Sequence, residues 1–157
     1  MSTTTTTTTT SPGLKQGDAR WFFGMLATVR ATAADTNGQY TLLEVVAPPG
    51  LEAPLHVHHT EDESFLILEG DAVLYVGDER IEATAGEFAF GPREVPHRFV
   101  VGPAGARMLW VITPAGFENL VEAASVPAET MTPPPPEVVP PENAAEIVTR
   151  YGNEILG

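Results

Sequence analysis

Residues 55–63 read Leu-His-Val-His-His-Thr-Glu-Asp-Glu, so three of the chain's four histidines and three carboxylates fall within nine positions. Side chains alternate between the faces of a strand, which puts His56 and His58 on one side and Val57 on the other. Two imidazoles spaced this way form a bidentate grip for a cation. His59 points away from them or lies in a turn, outside that grip. Glu63 opens the next apolar run and shares its face with Phe65 and Ile67, so a hairpin through residues 59–62 returns its carboxylate to the two imidazoles. The fourth histidine, His97, follows the loop of residues 91–96 and shares a face with Phe99 and Val101. Three neutral imidazoles and one carboxylate suit one divalent transition metal, Fe, Mn, Ni, Co, Cu or Zn, and leave coordination positions open for catalysis. The alternative is a solvated, charged loop. The placement of three of the four histidines at inward-facing strand positions, together with a glutamate, favours the site.

The elements that must position these residues are strands. From Arg20 to Thr113 the chain is a series of short apolar or alternating runs punctuated by Gly, Pro, Asn or Asp, with no intervening helical period. That pattern predicts an all-β core, an antiparallel sandwich or barrel. Asn37-Gly38 and Gly77-Asp78 sit between runs where tight hairpins need positive φ. After Thr113, residues 116–124 suit a short helix, while the proline-rich residues 132–141 must run extended because proline cannot donate backbone hydrogen bonds. Residues 143–156 read as a terminal helix, with Asn143 and Glu146 in capping-box spacing and Ala144, Ile147, Val148, Tyr151 and Ile155 on one stripe. That stripe needs a surface to cover, either the outer face of the barrel or a neighbouring subunit. The expected organisation is a disordered threonine-rich tail over 1–19, a β-barrel over 20–114 and a C-terminal extension over 115–157.

Composition narrows the partners. A chain of 157 residues with 43% apolar composition fits one domain with a real core. Against 21 Asp and Glu stand 8 Lys and Arg, a net charge of −13, so the average field repels phosphate backbones and anionic lipid heads. Neither nucleic acid nor a membrane surface is expected as a partner. Without cysteine, any metal must be held by imidazole, carboxylate or backbone oxygen. The N-terminal residues lack the basic segment and apolar core of a signal peptide, so a cytoplasmic protein is expected.

The same residues resemble a known family, the cupins. Its first motif runs glycine, five residues, His, one residue, His, three or four residues, Glu, six residues, glycine; Gly50, His56, His58, Glu63 and Gly70 match it in register. Of its second motif, Gly86, Pro92 and His97 are present, while Glu94 replaces the inner glycine and Val101 the final asparagine. Glu94 suggests a loop without the glycine's positive φ, and Val101 a more apolar cavity. The resemblance covers residues 40–113. It implies a cupin-type antiparallel β-barrel (a double-stranded β-helix, or jelly roll) with short C-terminal helices, and a central metal held by His56, His58, Glu63 and His97. The arrangement around it looks like that of small bacterial quercetin-dioxygenase-like cupins.

Three functions follow from these residues. The first is a dioxygenase in which the metal brings an enolic or phenolic substrate and dioxygen together, with Glu63 as catalytic proton acceptor. Phe65, Phe99, Met108 and Trp110, with Phe88 and Phe90, would wall an apolar cavity for a flat aromatic or polyketide-like substrate; taken singly, each also reads as ordinary core. The second is a non-redox isomerase, cyclase or decarboxylase using the metal as Lewis acid, and the third a small-ligand-binding protein without catalysis. The runs Ser64–Gly70 and Arg107–Thr113 are apolar on both faces, so their outward side needs cover from a helix, the N-terminal strand or a second barrel; sheet-to-sheet dimers being common in the family it resembles, a homodimer is expected.

Overall fold

The computed structural model of the protein describes residues 13–157, so the threonine tract and the disorder expected of it lie outside the described residues. Residues 13–18, assigned by their sequence to the same tail, are tied into the sheet. Gly17 N donates to the Val29 carbonyl and Val29 N to the Asp18 carbonyl, each at 2.8 Å, and Leu14 packs on the core.

Ten strands follow: β1 (Ala19–Phe22), β2 (Met25–Ala31), β3 (Thr41–Ala47), β4 (His56–His58), β5 (Asp62–Val76), β6 (Glu79–Thr84), β7 (Phe88–Gly91), β8 (His97–Thr113), β9 (Val126–Pro127) and β10 (Asn153–Ile155). Two short helices, α1 (Phe117–Ala123) and α2 (Ala144–Arg150), lie between β8 and β10. One hydrogen-bonded path runs β10-β4-β8-β3-β2-β1-β9, and β5 joins β6, β7 and β8. Every pairing between these strands is antiparallel. This is the antiparallel cupin-type barrel with short C-terminal helices that the strand pattern and the motifs predict.

Period-two patterning builds the core. In β3, Thr41, Leu43, Val45 and Ala47 are buried while Leu42, Glu44 and Val46 are half-buried, as a strand with one inward face requires. The long strands β5 and β8 pair along nearly their whole length, from Asp62↔Thr113 to Val76↔His97, with irregularities at Ile67/Glu69 and Gly70/Ala72 where they bend. Gly70 makes the bend possible. Its φ is +76°, and a Cβ there would lie 1.9 Å from the Gly105 carbonyl oxygen, a close approach that only glycine permits.

Of the two expected tight turns, Gly77-Asp78 joins β5 to β6 directly, with Val76↔Glu79 as the closing pair and Gly77 at φ +57°. Asn37 and Gly38 also adopt positive φ, but within a longer connection over residues 32–40. There Asp35 accepts hydrogen bonds from the Thr32 amide at 2.9 Å and hydroxyl at 3.0 Å, a local turn that widens the loop.

The C-terminal extension departs most from expectation. α1 forms as predicted, anchored by the buried Glu118 carboxylate, which accepts from Ala33 N at 2.8 Å, from Gly116 N at 3.2 Å and from the Thr41 hydroxyl. α2 is shorter than predicted: Asn143 makes no side-chain cap, and Gly152 at φ +84° ends the helical course. Residues 153–155 then run as β10 against β4, because pairing with an open strand edge satisfies backbone groups that a frayed helix end would leave to water. Between the helices, the proline-rich segment includes a turn at Pro135–Val138 and is tied to β1 by the Trp21 indole, which donates to the Thr132 carbonyl at 2.8 Å. Among the described residues no helix is long and apolar enough to cross a membrane.

Gly70→Ala is expected to destabilise the protein by about 3 kcal/mol or more, since both φ and the Gly105 backbone resist the methyl group. Gly38→Ala, where φ is +78° but the space is open, should lose only about 1 kcal/mol. Denaturant midpoints of the two variants measure the difference, and equal losses would remove the close-packing account of the bend.

Candidate metal centre

Three strands, β4, β5 and β8, deliver the cluster. β4 lies between β8 and β10, with His56↔His97 on one side and Ile155↔His56 and Asn153↔His58 on the other. Glu63, near the start of β5, is flanked by Gly91 of β7 and Ile112 of β8. One ligand atom from each of His56, His58, Glu63 and His97 lies within 4.8 Å of all the others. His58, Glu63 and His97 are each no more than 2% exposed. His59 stands outside, as its strand parity predicts. Its exposed ring reaches Glu94 at 3.1 Å and Glu154 at 3.2 Å.

Each of the three clustered imidazoles has an oxygen at its Nδ1: Pro54 O at 2.8 Å for His56, Glu61 Oε1 at 2.9 Å for His58 and Val95 O at 3.3 Å for His97. Donation from Nδ1–H turns the Nε2 atoms towards the centre, the orientation seen in imidazoles that hold metals. There they crowd Glu63 Oε2, with His58 Nε2 at 2.9 Å and His97 Nε2 at 3.0 Å. Nitrogen lone pairs and a carboxylate at that distance repel one another unless a proton or a cation stands among them. His58 Nε2 is buried and is not aligned for a hydrogen bond with any described residue. The donor set therefore fits a divalent cation, which would meet all four groups at once.

The charges reflect the same crowding. Burial opposes protonation of His58, but Glu63 and Glu61 outweigh it and push its pKa up to about 10. Burial also opposes ionisation of Glu63, yet His58 and His97 hold that carboxyl well below the usual range. For His56, burial and the neighbouring His97 push the pKa down to about 4, so its imidazole is neutral at neutral pH.

The loop before His97 corrects one expectation. Glu94 adopts φ +70°, so the left-handed turn survives without glycine. Its amide donates to the His58 carbonyl at 2.7 Å and its carboxylate contacts His59, which compensates for a conformation costing about 1 kcal/mol. Val101 is corrected as well: it is buried in the core and does not line the cavity.

His56, His58 and Glu63 open into a small apolar cavity of about 70 Å³. Phe99 and Trp110 line it; Phe65 and Met108 do not. Phe65 packs behind, edge-on to His97, Phe99 and Trp110 with ring centroids 5.9–6.2 Å apart. Phe88 and Phe90 face outward, 60% and 46% exposed, because β7's register puts them on the opposite side from Ala89. Besides Ala53 and Pro54 within the first motif, the wall draws on residues outside both motifs: Phe22, Phe23 and Met25, Phe117 and Leu120 of α1, Val148 of α2, and Asn153 and Ile155 of β10. Of the predicted stripe, Val148 and Ile155 line the cavity, Ile147 packs into the core and Tyr151 stays 39% exposed. The only local signal for these residues is the apolar stripe, which says that something is covered but not what.

The family described as "Cupin domain" matches residues 43–112. Together with the barrel and the cluster, this match supports a cupin superfamily protein. It is 28% identical over 114 residues to the quercetin 2,3-dioxygenase of Bacillus subtilis strain 168, a stretch covering 73% of this chain but 34% of that protein. It is also 33% identical over 58 residues to an uncharacterized protein of Methanocaldococcus jannaschii, covering 37% of this chain and 46% of that one. The chain therefore spans less than half the length of these relatives. Among solved structures, a predicted oxalate decarboxylase from Thermotoga maritima matches with a TM-score of 0.54 at 22% identity, over 57% of this chain and 80% of that one. At that identity the likeness speaks for the fold.

Loading the metal-free protein with a divalent ion at about pH 7 is expected to release roughly one proton per ion, that of His58, so affinity should rise with pH until about 10. Calorimetry in buffers of different ionisation enthalpy measures this, and uptake without proton release contradicts a protonated His58. The sign for folding is opposite. With its folded pKa above the ordinary 6.5, His58 stabilises the metal-free protein fully below that pH, and the contribution fades as pH rises towards 10. Removing the Nδ1 partner by Glu61→Ala should weaken metal binding about 10- to 100-fold, measured by competition with a chromogenic chelator.

Proposed function

We propose that His56, His58, Glu63 and His97 hold one divalent transition metal, and that the protein is an oxygenase for a small aromatic or enolic substrate. The observation that carries this reading is a buried cluster of three imidazoles and one carboxylate opening into an apolar cavity. The sequence similarity to a quercetin 2,3-dioxygenase supports an oxygenase over other metal chemistries. When bound, the metal supplies positive charge beside the substrate oxygen and a route for electrons between substrate and dioxygen. The residues do the rest. Glu63 accepts the substrate's hydroxyl proton, its carboxylate facing the cavity beside His58. Phe99 and Trp110 hold a flat ring, and Phe65 braces both. The apolar wall excludes water, which strengthens every charge interaction inside it.

Oxygen uptake with a flavonol is expected from protein loaded with iron, manganese, nickel or cobalt. His56→Ala and His97→Ala should each lower bound metal and uptake by about 100-fold or more, since even outer partners of ligands account for 10- to 100-fold. Unchanged metal content in both variants would remove the site assignment. Turnover under strict anaerobiosis would point to an isomerase, cyclase or decarboxylase, and bound metal without turnover to a ligand-binding protein.

The outer sheet face supports a homodimer. Phe88 pairs with Leu66 and Leu66 with Leu109, and Phe90 shares its row with Ser64 and Val111, so a half-buried apolar surface continues outward from two exposed phenylalanines. Light scattering should give the mass of two chains, falling to one in the Phe88→Asp/Phe90→Asp variant; a wild-type monomer would dismiss the pairing.

A further inference from the structure

The space beside the cluster, about 70 Å³, is smaller than an aromatic ring needs, since an apolar cavity of about 150 Å³ holds one benzene. A second, largely apolar cavity of about 160 Å³ lies under the proline-rich segment, with Trp21, Val126, Val138, Pro140 and Pro141 in its wall. The two walls share one residue, Phe23.

Phe23 is also the bulkiest described residue at positive φ. With Gly24 it forms the two-residue turn between β1 and β2, closed by Phe22↔Met25, at φ +48° and +79°. Such turns favour Asn or Asp at the first position, and a bulky side chain there is a genuine outlier. Strained backbone of this kind clusters at ligand clamps and switch regions. The Phe23 ring stands edge-on to Phe22, with centroids 4.8 Å apart, and packs on the core while only half-buried. A half-buried ring at a hairpin tip turns outwards at lower cost than the buried Phe22 beside it.

We propose that Phe23 is a movable partition and that the cavity behind it is the distal half of the ligand site. When the ring turns away, an oxygen-bearing head sits at the cluster and an aryl group fills the second cavity, against Trp21 and the prolines. This rests on the reading of the cluster as a metal site beside the substrate cavity and deepens it. The substrate class is a small enol or hydroxyl-bearing head joined to an aryl ring. Ser125, the polar side chain in the second wall, is already engaged by Arg20 and by the Val121 carbonyl, so a charged tail finds no partner there and is rejected.

The test uses acetohydroxamate and benzohydroxamate, which share a metal-binding head and differ by methyl against phenyl. Calorimetry measures both affinities in zinc-loaded wild type, Phe23→Ala and Phe23→Ala/Val138→Phe, and melting with and without toluene follows the same proteins after chelator treatment. Phe23→Ala should raise the preference for benzohydroxamate about tenfold over wild type, and toluene should raise its melting temperature. In the double variant, whose added ring fills the second cavity, the preference should return to within about twofold of wild type and the toluene shift should vanish. Phe23→Asn, the residue such a turn favours, should reproduce the single variant's change and covers loss of fold in Phe23→Ala. A preference unmoved by loss of the Phe23 ring, or retained in the folded double variant, would overturn the assignment. Hydroxamates bound alike by all variants dismiss the partition and leave the metal site. The expected toluene shifts with no hydroxamate bound to any variant dismiss the metal and leave the partition.

Discussion

Everything at the centre of this protein answers to one electrostatic constraint: a carboxylate and three imidazoles share a volume from which water is excluded. Glu63 Oε2 has two imidazole nitrogens within 3.0 Å, and such a set is stable only with positive charge among its members. In the metal-free protein that charge is the His58 proton, held by Glu63 and Glu61 against the cost of burial. A divalent cation would answer the same need with four contacts.

The barrel exists to hold those groups in register. β5 and β8 carry Glu63 and His97 at their starts, and their long antiparallel pairing brings distant residues together through one bend at Gly70. The bend needs a residue without a side chain because backbone meets backbone there. β4, only three residues long, contributes two imidazoles and is held from both sides, by His97 of β8 and by β10. Short strands flanked on both edges keep their side chains in fixed directions, a condition for any preorganised site.

The extension beyond the barrel is part of the site. α1 and α2 supply apolar walls, and β10 supplies Asn153 and Ile155 on the same face as His58 and His56. Glu61 links Asn153 to the Nδ1 of His58, so one carboxylate orients both a clustered histidine and a cavity amide. The cavity wall and the cluster are therefore coupled through hydrogen bonds and not merely adjacent.

Strand parity, being purely local, was readable along the chain: it placed His56 and His58 together, set His59 apart and put Glu63 on the face of Phe65. The four-residue cluster and the all-β barrel follow from that parity together with the spacing of the motifs. Long-range register was not readable. The exposed positions of Phe88 and Phe90, the strand at 153–155 and the burial of Val101 depend on which edges meet, and no residue encodes its distant partner. Glu94 shows the limit at a single position, since its left-handed φ is held by a bond to His58 O and a contact with His59 that its residue type does not announce. The sequence alone thus determined which residues can act chemically, because side-chain chemistry and period-two geometry are local. Only the tertiary structure decided what encloses them, because enclosure arises from contacts between segments about a hundred residues apart, such as Glu61 and Asn153.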